Sequence, residues 1–80
     1  MRILDFDNDK SLKNIVIYLE VEEAKELFNS LKFLIEKNDP KNHVHVNDKE
    51  YKHEITMLTY DENDLSSLNE RSKQLIEQDI

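Results

Sequence analysis

Apolar residues recur at steps of three and four positions between Glu22 and Lys37, the spacing of one face of an α-helix. The positions that form this stripe are Ala24, Leu27, Phe28, Leu31, Leu34 and Ile35. Acidic residues crowd the first turn and Lys37 lies in the last, as the helix dipole favours. Residues 38–40, Asn-Asp-Pro, end the pattern. The pattern predicts a helix over residues 22–37 with one apolar face.

Two short runs typical of β-strands precede this helix. They cover residues 3–7 and 14–20, and the second is rich in β-branched and aromatic side chains. The polar residues 8–13 separate the runs, so we expect an antiparallel hairpin. Side chains of the second strand alternate between two faces. One face has Ile15, Ile17 and Leu19, and the other has Val16, Tyr18 and Glu20.

A second hairpin is predicted after the helix, from residues 43–46 and 51–60 around a polar turn at residues 47–50. A two- or four-residue connection pairs Val46 with Tyr51, and this pairing decides which side chains share a face. One face then has Val44, Val46, Tyr51, His53, Ile55 and Met57. The other has His43, His45, Lys52, Glu54, Thr56, Leu58 and Tyr60. A three-residue connection, the alternative, would exchange the two faces.

The C-terminal tail contains the sequence of a capping box, Ser67-x-x-Glu70, followed by apolar residues at helical spacing. A short helix over residues 68–78 is predicted. The element order is then ββαββα, an α+β fold. We expect a two-layer arrangement, with a four-stranded, mainly antiparallel sheet, the long helix on one face and the short C-terminal helix. The chain is predicted to form a single domain over residues 1–80, with a core at 1–66 and the C-terminal helix at 67–80.

The outer face of this predicted sheet is more apolar than a solvated sheet face usually is. It holds four apolar or aromatic side chains beside the two histidines of the third strand. These residues are Val16, Tyr18, Leu58, Tyr60, His43 and His45. The C-terminal helix, a second copy of the chain or a different protein would cover this face, and the six residues are the predicted partner-binding surface.

The charge of the chain restricts its partners. With 11 basic and 18 acidic residues, the net charge is −7 and the pI is about 4.8. Nucleic acids and anionic membranes attract basic surfaces, so neither is expected as a partner. The N-terminal residues include carboxylates that do not suit a signal peptide, and no apolar run is long enough for a membrane span. The expected location is the cytoplasm.

The chain contains neither cysteine nor glycine. Without cysteine it forms no disulfide and no thiolate metal site. Without glycine it has no glycine-rich phosphate loop, and positions with positive φ fall to asparagine or aspartate. No arrangement of serine, histidine and carboxylate points to a catalytic site, so we expect no enzymatic activity and no cofactor.

A histidine cluster offers one alternative chemistry. His43 and His45 are two residues apart on a strand and point the same way, with Glu54 expected across from His43. Two histidines and a carboxylate form a known type of metal site. The main prediction is nevertheless that no metal is bound and that these histidines are solvated.

Several motifs resemble short uncharacterised bacterial ββαββ proteins, some of which look like immunity proteins that neutralise polymorphic toxins. The motifs lie at residues 17–19 (Ile-Tyr-Leu), 22–24 (Glu-Glu-Ala) with Leu27, 43–48 (His-Val-His-Val-Asn-Asp) and 54–56 (Glu-Ile-Thr). The resemblance covers about residues 15–60 and implies a stoichiometric inhibitor.

Three functions are therefore expected, in this order. The first is a non-enzymatic protein-binding module, in its narrower form an immunity-type inhibitor of a toxin. The second is a homodimeric structural protein, and the third is a small metal-binding domain that uses the two strand histidines.

Overall fold

The computed structural model describes all 80 residues and confirms an α+β fold. Two strands, a helix, two strands and a helix follow one another along the chain. They are β1 (Ile3–Asp5), β2 (Lys10–Leu12), α1 (Val21–Lys37), β3 (His43–Asn47), β4 (Glu54–Leu58) and α2 (Glu70–Gln78). The prediction of one four-stranded sheet is wrong. Each hairpin pairs only with itself, which gives two separate two-stranded antiparallel sheets.

The chain divides into two compact units. Unit 1 consists of Met1–Ile17 and Glu62–Ile80, and therefore contains β1, β2 and α2. Unit 2 is Tyr18–Asp61 and contains α1, β3 and β4. The C-terminal helix thus groups with the N-terminal hairpin, which the predicted division at residue 66 did not anticipate. The single domain over residues 1–80 stays a prediction.

The hairpin of unit 1 reverses earlier than predicted. The carboxylate of Asp5 accepts hydrogen bonds from the Asn8 backbone N–H at 3.3 Å and the Asn8 side-chain amide at 2.9 Å. Asp9 then takes a positive φ of 54°, and Lys10 pairs with Asp5. The turn therefore occupies residues 6–9, and the second strand is β2. Residues 14–20, the predicted second strand, belong to no strand or helix.

Helix α2 begins two residues later than the predicted cap implied. Asn69 is the N-cap, and its side-chain oxygen accepts a hydrogen bond from the Ser72 backbone N–H at 2.8 Å. Ser67, the predicted cap, lies before the helix in the connecting segment. Asn69 replaces it because its side chain reaches the exposed N–H groups of the first turn directly. The helix ends at Gln78, as predicted, with Asp79 in the left-handed conformation.

Polar contacts join α2 to the N-terminal hairpin within unit 1. The guanidinium of Arg2 donates to the backbone carbonyls of Leu75 and Ile76, both at 3.0 Å. Arg71 donates to the Asp9 carboxylate at 2.6 Å and to the Ile80 carbonyl at 2.6 Å. Two arginines therefore connect the two ends of the chain by charge-assisted hydrogen bonds.

Helix α1 of unit 2 confirms the most regular part of the sequence pattern. It spans Val21–Lys37, and the Glu23 carboxylate accepts the Glu20 backbone N–H at 2.8 Å at its start. Asn38 ends it with φ 47° and ψ 42°, and donates its N–H to the Leu34 carbonyl. Three of the four positive-φ residues are asparagine or aspartate, as expected in a chain without glycine. The fourth is Tyr51, in the β3–β4 turn.

The register of β3 and β4 differs from the prediction by four residues. Val46 pairs with Ile55, whereas the prediction paired it with Tyr51. The turn spans residues 48–53 because the Asp48 carboxylate accepts the backbone N–H groups of Lys52 at 2.8 Å and His53 at 3.3 Å. A shift by an even number of residues leaves every side chain on its predicted face. The predicted faces are therefore retained along the paired residues.

Candidate functional site

The two faces of the β3–β4 hairpin differ in burial. Val46 is 5% exposed, and Val44, Ile55 and Met57 on the same face are half-buried. Helix α1 contacts β3, and Leu34 of this helix is the other buried residue of unit 2. The opposite side, which we call the outer hairpin face, is exposed. It consists of His43, His45, Glu54, Thr56 and Leu58.

A small polar network lies on the outer hairpin face. His45 Nδ1 is 2.9 Å from Glu54 Oε1 and 2.9 Å from Thr56 Oγ1. The ring of His43 meets the ring of His45 edge to face, with centroids 5.1 Å apart. His43 pairs with Leu58 across the ladder, so the prediction that Glu54 lies opposite His43 is wrong. The shifted register instead places Glu54 within reach of His45.

The structure bears on the alternative metal site of His43, His45 and Glu54. No group of three or more histidine, aspartate or glutamate side chains is arranged to hold a metal ion. His45 Nδ1 faces the Glu54 carboxylate and the Thr56 hydroxyl, so this nitrogen has polar partners from its own hairpin. The local chemistry is that of a hydrogen-bonded, solvated strand surface.

The β3–β4 turn carries a second histidine–carboxylate contact. His53 Nδ1 contacts Asp48 Oδ2, and the other oxygen of Asp48 accepts the two backbone N–H groups already described. The His53 hydrogen bond, with those from the backbone, holds the pKa of Asp48 below its usual value. The same arrangement keeps Tyr51 at φ 55°, a costly conformation for a bulky residue. Asp48 therefore organises the turn that sets the register.

The most apolar exposed surface of unit 2 lies on α1. Leu34 is 2% exposed, while Ile35, one residue and ~100° further around the helix, is 73% exposed. Phe28 is 67% and Val21 is 70% exposed. The hairpin thus covers only part of the apolar face of this helix. The apolar face predicted for this helix therefore has one edge that the hairpin covers and one edge that stays exposed.

The uncovered residues follow the seven-residue spacing of a helix-pairing surface. Their steps alternate between three and four positions, as at the a and d sites of a coiled coil. We call this surface the α1 stripe, and it consists of Val21, Ala24, Phe28, Leu31 and Ile35. All five are exposed. The sequence pattern identified all of them except Val21, but we expected them to pack on the sheet. The seven-residue spacing of positions 21, 28 and 35 was the signal that they form a separate edge of the helix.

Charged residues flank the α1 stripe on its polar side. Lys25 lies 3.3 Å from Glu22, and Lys32 lies 4.0 Å from Glu36. Both pairs are exposed, so each contributes little to stability. They do neutralise the two lysines nearest the stripe. Unit 2 carries ten acidic and six basic side chains, a net charge of −4.

The structure does not gather the six predicted partner-binding residues on one sheet. His43, His45 and Leu58 share the outer hairpin face, while Tyr60 is half-buried beyond the end of β4. Val16 and Tyr18 are 77% and 90% exposed, but they lie in the 14–20 segment outside both sheets. The reason is that the first hairpin ends at Leu12, before the residues that were expected to pair.

Comparison with protein-family models, curated proteins and solved structures finds no match to this chain. The resemblance to immunity-like proteins therefore stays a prediction. Neither α1 nor α2 combines the length and the apolar character that crossing a lipid bilayer requires.

Proposed function

We propose that this chain is a non-enzymatic, cytoplasmic protein-binding module, and that the α1 stripe is its principal contact surface. The observation that carries the proposal is the contrast along α1, where a leucine that is 2% exposed is followed by an isoleucine that is 73% exposed. Large exposed apolar patches on soluble domains are typical of protein-interaction sites. An exposed heptad-spaced stripe suits an apolar helix of a partner, which would fill the spaces between its large residues.

The composition of the stripe supports a few strong contacts. Phe28 lies at its centre, with Val21 and Ile35 one heptad away on either side. Aromatic residues at the centre of an interface contribute more binding energy than those at the rim. The surrounding acidic charge favours a partner with basic residues around its apolar contact, because complementary charges speed association.

A photo-crosslinking experiment tests this proposal. Benzoylphenylalanine replaces Phe28 in one variant and Glu26, on the polar side of α1, in a matched control. We expect position 28 to form a covalent adduct with a different protein and position 26 to form none. Equal adducts from both positions, or no adduct from position 28, would contradict the proposal. An adduct with the chain itself would assign the stripe to a second copy.

Binding by the purified partner provides the quantitative test. The double variant Phe28→Ser/Ile35→Ser should weaken binding by about tenfold or more, since interface hot spots commonly reach this size. Both side chains are already exposed, so the fold should survive, and circular dichroism checks this. Glu26→Gln is the control and should bind like the wild type. Unchanged affinity in the double variant would remove the α1 stripe from the interface.

The narrower form of the proposal is an immunity-type inhibitor, which the net charge of −7 and the resemblance at residues 15–60 support. If the partner is a toxin, its activity should fall in proportion to added chain and reach zero at a one-to-one ratio. Residual activity at excess chain would reject the inhibitor form. It would leave the binding module intact.

A further inference from the structure

The 14–20 segment is strand-forming in sequence but unpaired in the structure. It contains three consecutive β-branched residues followed by tyrosine, with no charged side chain between Lys13 and Glu20. Residues 14–19 make no backbone hydrogen bond and belong to no sheet ladder. Val16 and Tyr18 are among the most exposed apolar side chains of the chain. The backbone N–H and C=O groups of residues 14–19 are therefore available to pair with another chain.

We propose that the 14–20 segment pairs with the same segment of a second copy, as an antiparallel two-stranded ribbon centred on Ile17. This homodimer contact lies outside the α1 stripe and goes beyond the proposed function. The proposed partner is a second copy of this chain.

Symmetry restricts the register to a few choices. In an antiparallel pair of identical strands, the two-fold axis stands perpendicular to the ribbon, so both copies show the same side chains on the same face. Residues directly opposite each other must also share a face. Together these conditions require one residue to lie opposite itself. The registers that pair at least five residues of the 14–20 segment are then centred on Val16, Ile17 or Tyr18.

Charge selects among these three centres. With Ile17 at the centre, Glu20 lies opposite the polar Asn14 of the second copy. A centre at Val16 would place Glu20 opposite Leu12, and a centre at Tyr18 would place it opposite Val16. Only the Ile17 register matches the one charged residue of the segment with a polar partner. It also pairs Tyr18 with Val16, an aromatic and β-branched combination that stabilises sheets.

The absence of charge at residues 14–19 also suits self-association by an acidic chain. Two copies that each carry a net charge of −7 repel one another, so a contact must avoid the acidic surfaces. Residues 14–19 are uncharged. A ribbon of this length buries on the order of 1,000 Å² in total, at the small end of specific interfaces. We therefore expect a weak dimer, with a dissociation constant on the order of 10 µM.

Single cysteine substitutions test the register, because the natural chain has no cysteine. Residues directly opposite each other in a ribbon have Cα atoms about 4.5–5.5 Å apart, within the range that a disulfide spans. Under mild oxidation, Ile17→Cys should form a covalent dimer. Val16→Cys should do so at least several times more slowly, because in this register its two copies lie about 8 Å apart. Equal or inverted rates would overturn the proposed centre.

Two variants of opposite charge provide an independent test by sedimentation. Asn14→Lys places a lysine opposite Glu20 of the second copy at both ends of the ribbon and should tighten the dimer. Asn14→Glu places like charges there and should loosen it. We expect the two dissociation constants to differ by roughly tenfold, from cross-strand charge pairs at two symmetric sites. Identical constants would overturn the pairing.

The sedimentation experiment also decides whether the dimer exists. The monomer mass is 9.6 kDa, and the wild-type chain should approach twice this value as its concentration rises above the dissociation constant. A monomeric mass well above that concentration overturns the proposal. Phe28→Ser disables the α1 stripe and should leave the Ile17→Cys cross-linking rate unchanged. The dimer proposal and the binding proposal therefore fail on different measurements.

Discussion

The two units of this chain are of similar size but are held together by different interactions. Unit 1 has one buried residue, Leu75 at 8% exposure, and its helix is fixed to its hairpin by two arginines. Unit 2 has two, Leu34 and Val46, and joins its helix to its hairpin by apolar packing. Its lysine–glutamate pairs lie on the surface. Polar contacts, including those to backbone carbonyls, thus join the helix to the hairpin in unit 1. Burial of apolar side chains does so in unit 2.

The contrast follows from the sequence of each helix. Helix α1 has 17 residues and a broad apolar arc, so it buries one edge and still exposes another. Helix α2 has nine residues and few apolar ones, and a helix this short is not stable alone. Two carbonyls of its last turns accept hydrogen bonds from the Arg2 guanidinium, and one of them, that of Leu75, also accepts the Asp79 N–H. The two units should therefore respond differently to cavity, charge and pH changes.

The largest effect is expected from a cavity in unit 2. Leu34→Ala should lower the free energy of unfolding by about 2–5 kcal/mol, the range for truncating a buried leucine. Urea denaturation measures the loss, and amide exchange should show it first in α1, β3 and β4. Ile35→Ala, one position along, is the control and should be nearly neutral. Similar losses for the two variants would contradict the split of the α1 face.

The second-largest effect is expected from removing the arginine contacts of unit 1. Arg2→Met keeps much of the apolar stem but removes the donors to Leu75 and Ile76, and should cost about 1.5–3 kcal/mol. Arg2→Lys should recover only part of this, because lysine lacks the planar fork. Amide exchange within α2 is the measurement. Lys73→Met, which loses only the exposed pair with Glu70, is the control, and an equal loss there would reject the role given to Arg2.

A smaller effect distinguishes the observed cap of α2 from the predicted one. Asn69→Ala should lower stability by about 1 kcal/mol, since it removes the acceptor for the Ser72 N–H. Asn69→Ser should restore most of the loss. Ser67→Ala should have little effect in the same urea titrations. A larger loss from Ser67→Ala would favour the capping box that the sequence indicated.

The smallest effect concerns the turn of unit 2. The pKa of Asp48 is lowered in the folded chain, chiefly by its hydrogen bond from His53, so its ionised form favours folding. This contribution is present above the unfolded-state pKa and is lost as the pH falls through the folded-state pKa. The urea midpoint of wild type should exceed that of Asp48→Asn near neutral pH. The difference should shrink below about pH 4, and a constant difference would contradict the assignment.

The sequence by itself determined the elements that depend on local periodicity. Helix α1 follows from the three- and four-residue spacing, and Asn38 ends it because asparagine tolerates the left-handed conformation in a chain without glycine. The faces of the β3–β4 hairpin follow from strict alternation. They survived a four-residue error in register because the side-chain period of a strand is two.

Only the tertiary structure decided where strands begin and which apolar surfaces are covered. The carboxylates of Asp5 and Asp48 determine where the two turns lie, through hydrogen bonds that hydrophobic patterning does not encode. The β-prone 14–20 segment is left without a partner because the first hairpin closes before it. Both edges of α1 are apolar, and packing on β3 buries only one of them. Burial depends on what lies opposite a residue, which periodicity alone does not specify.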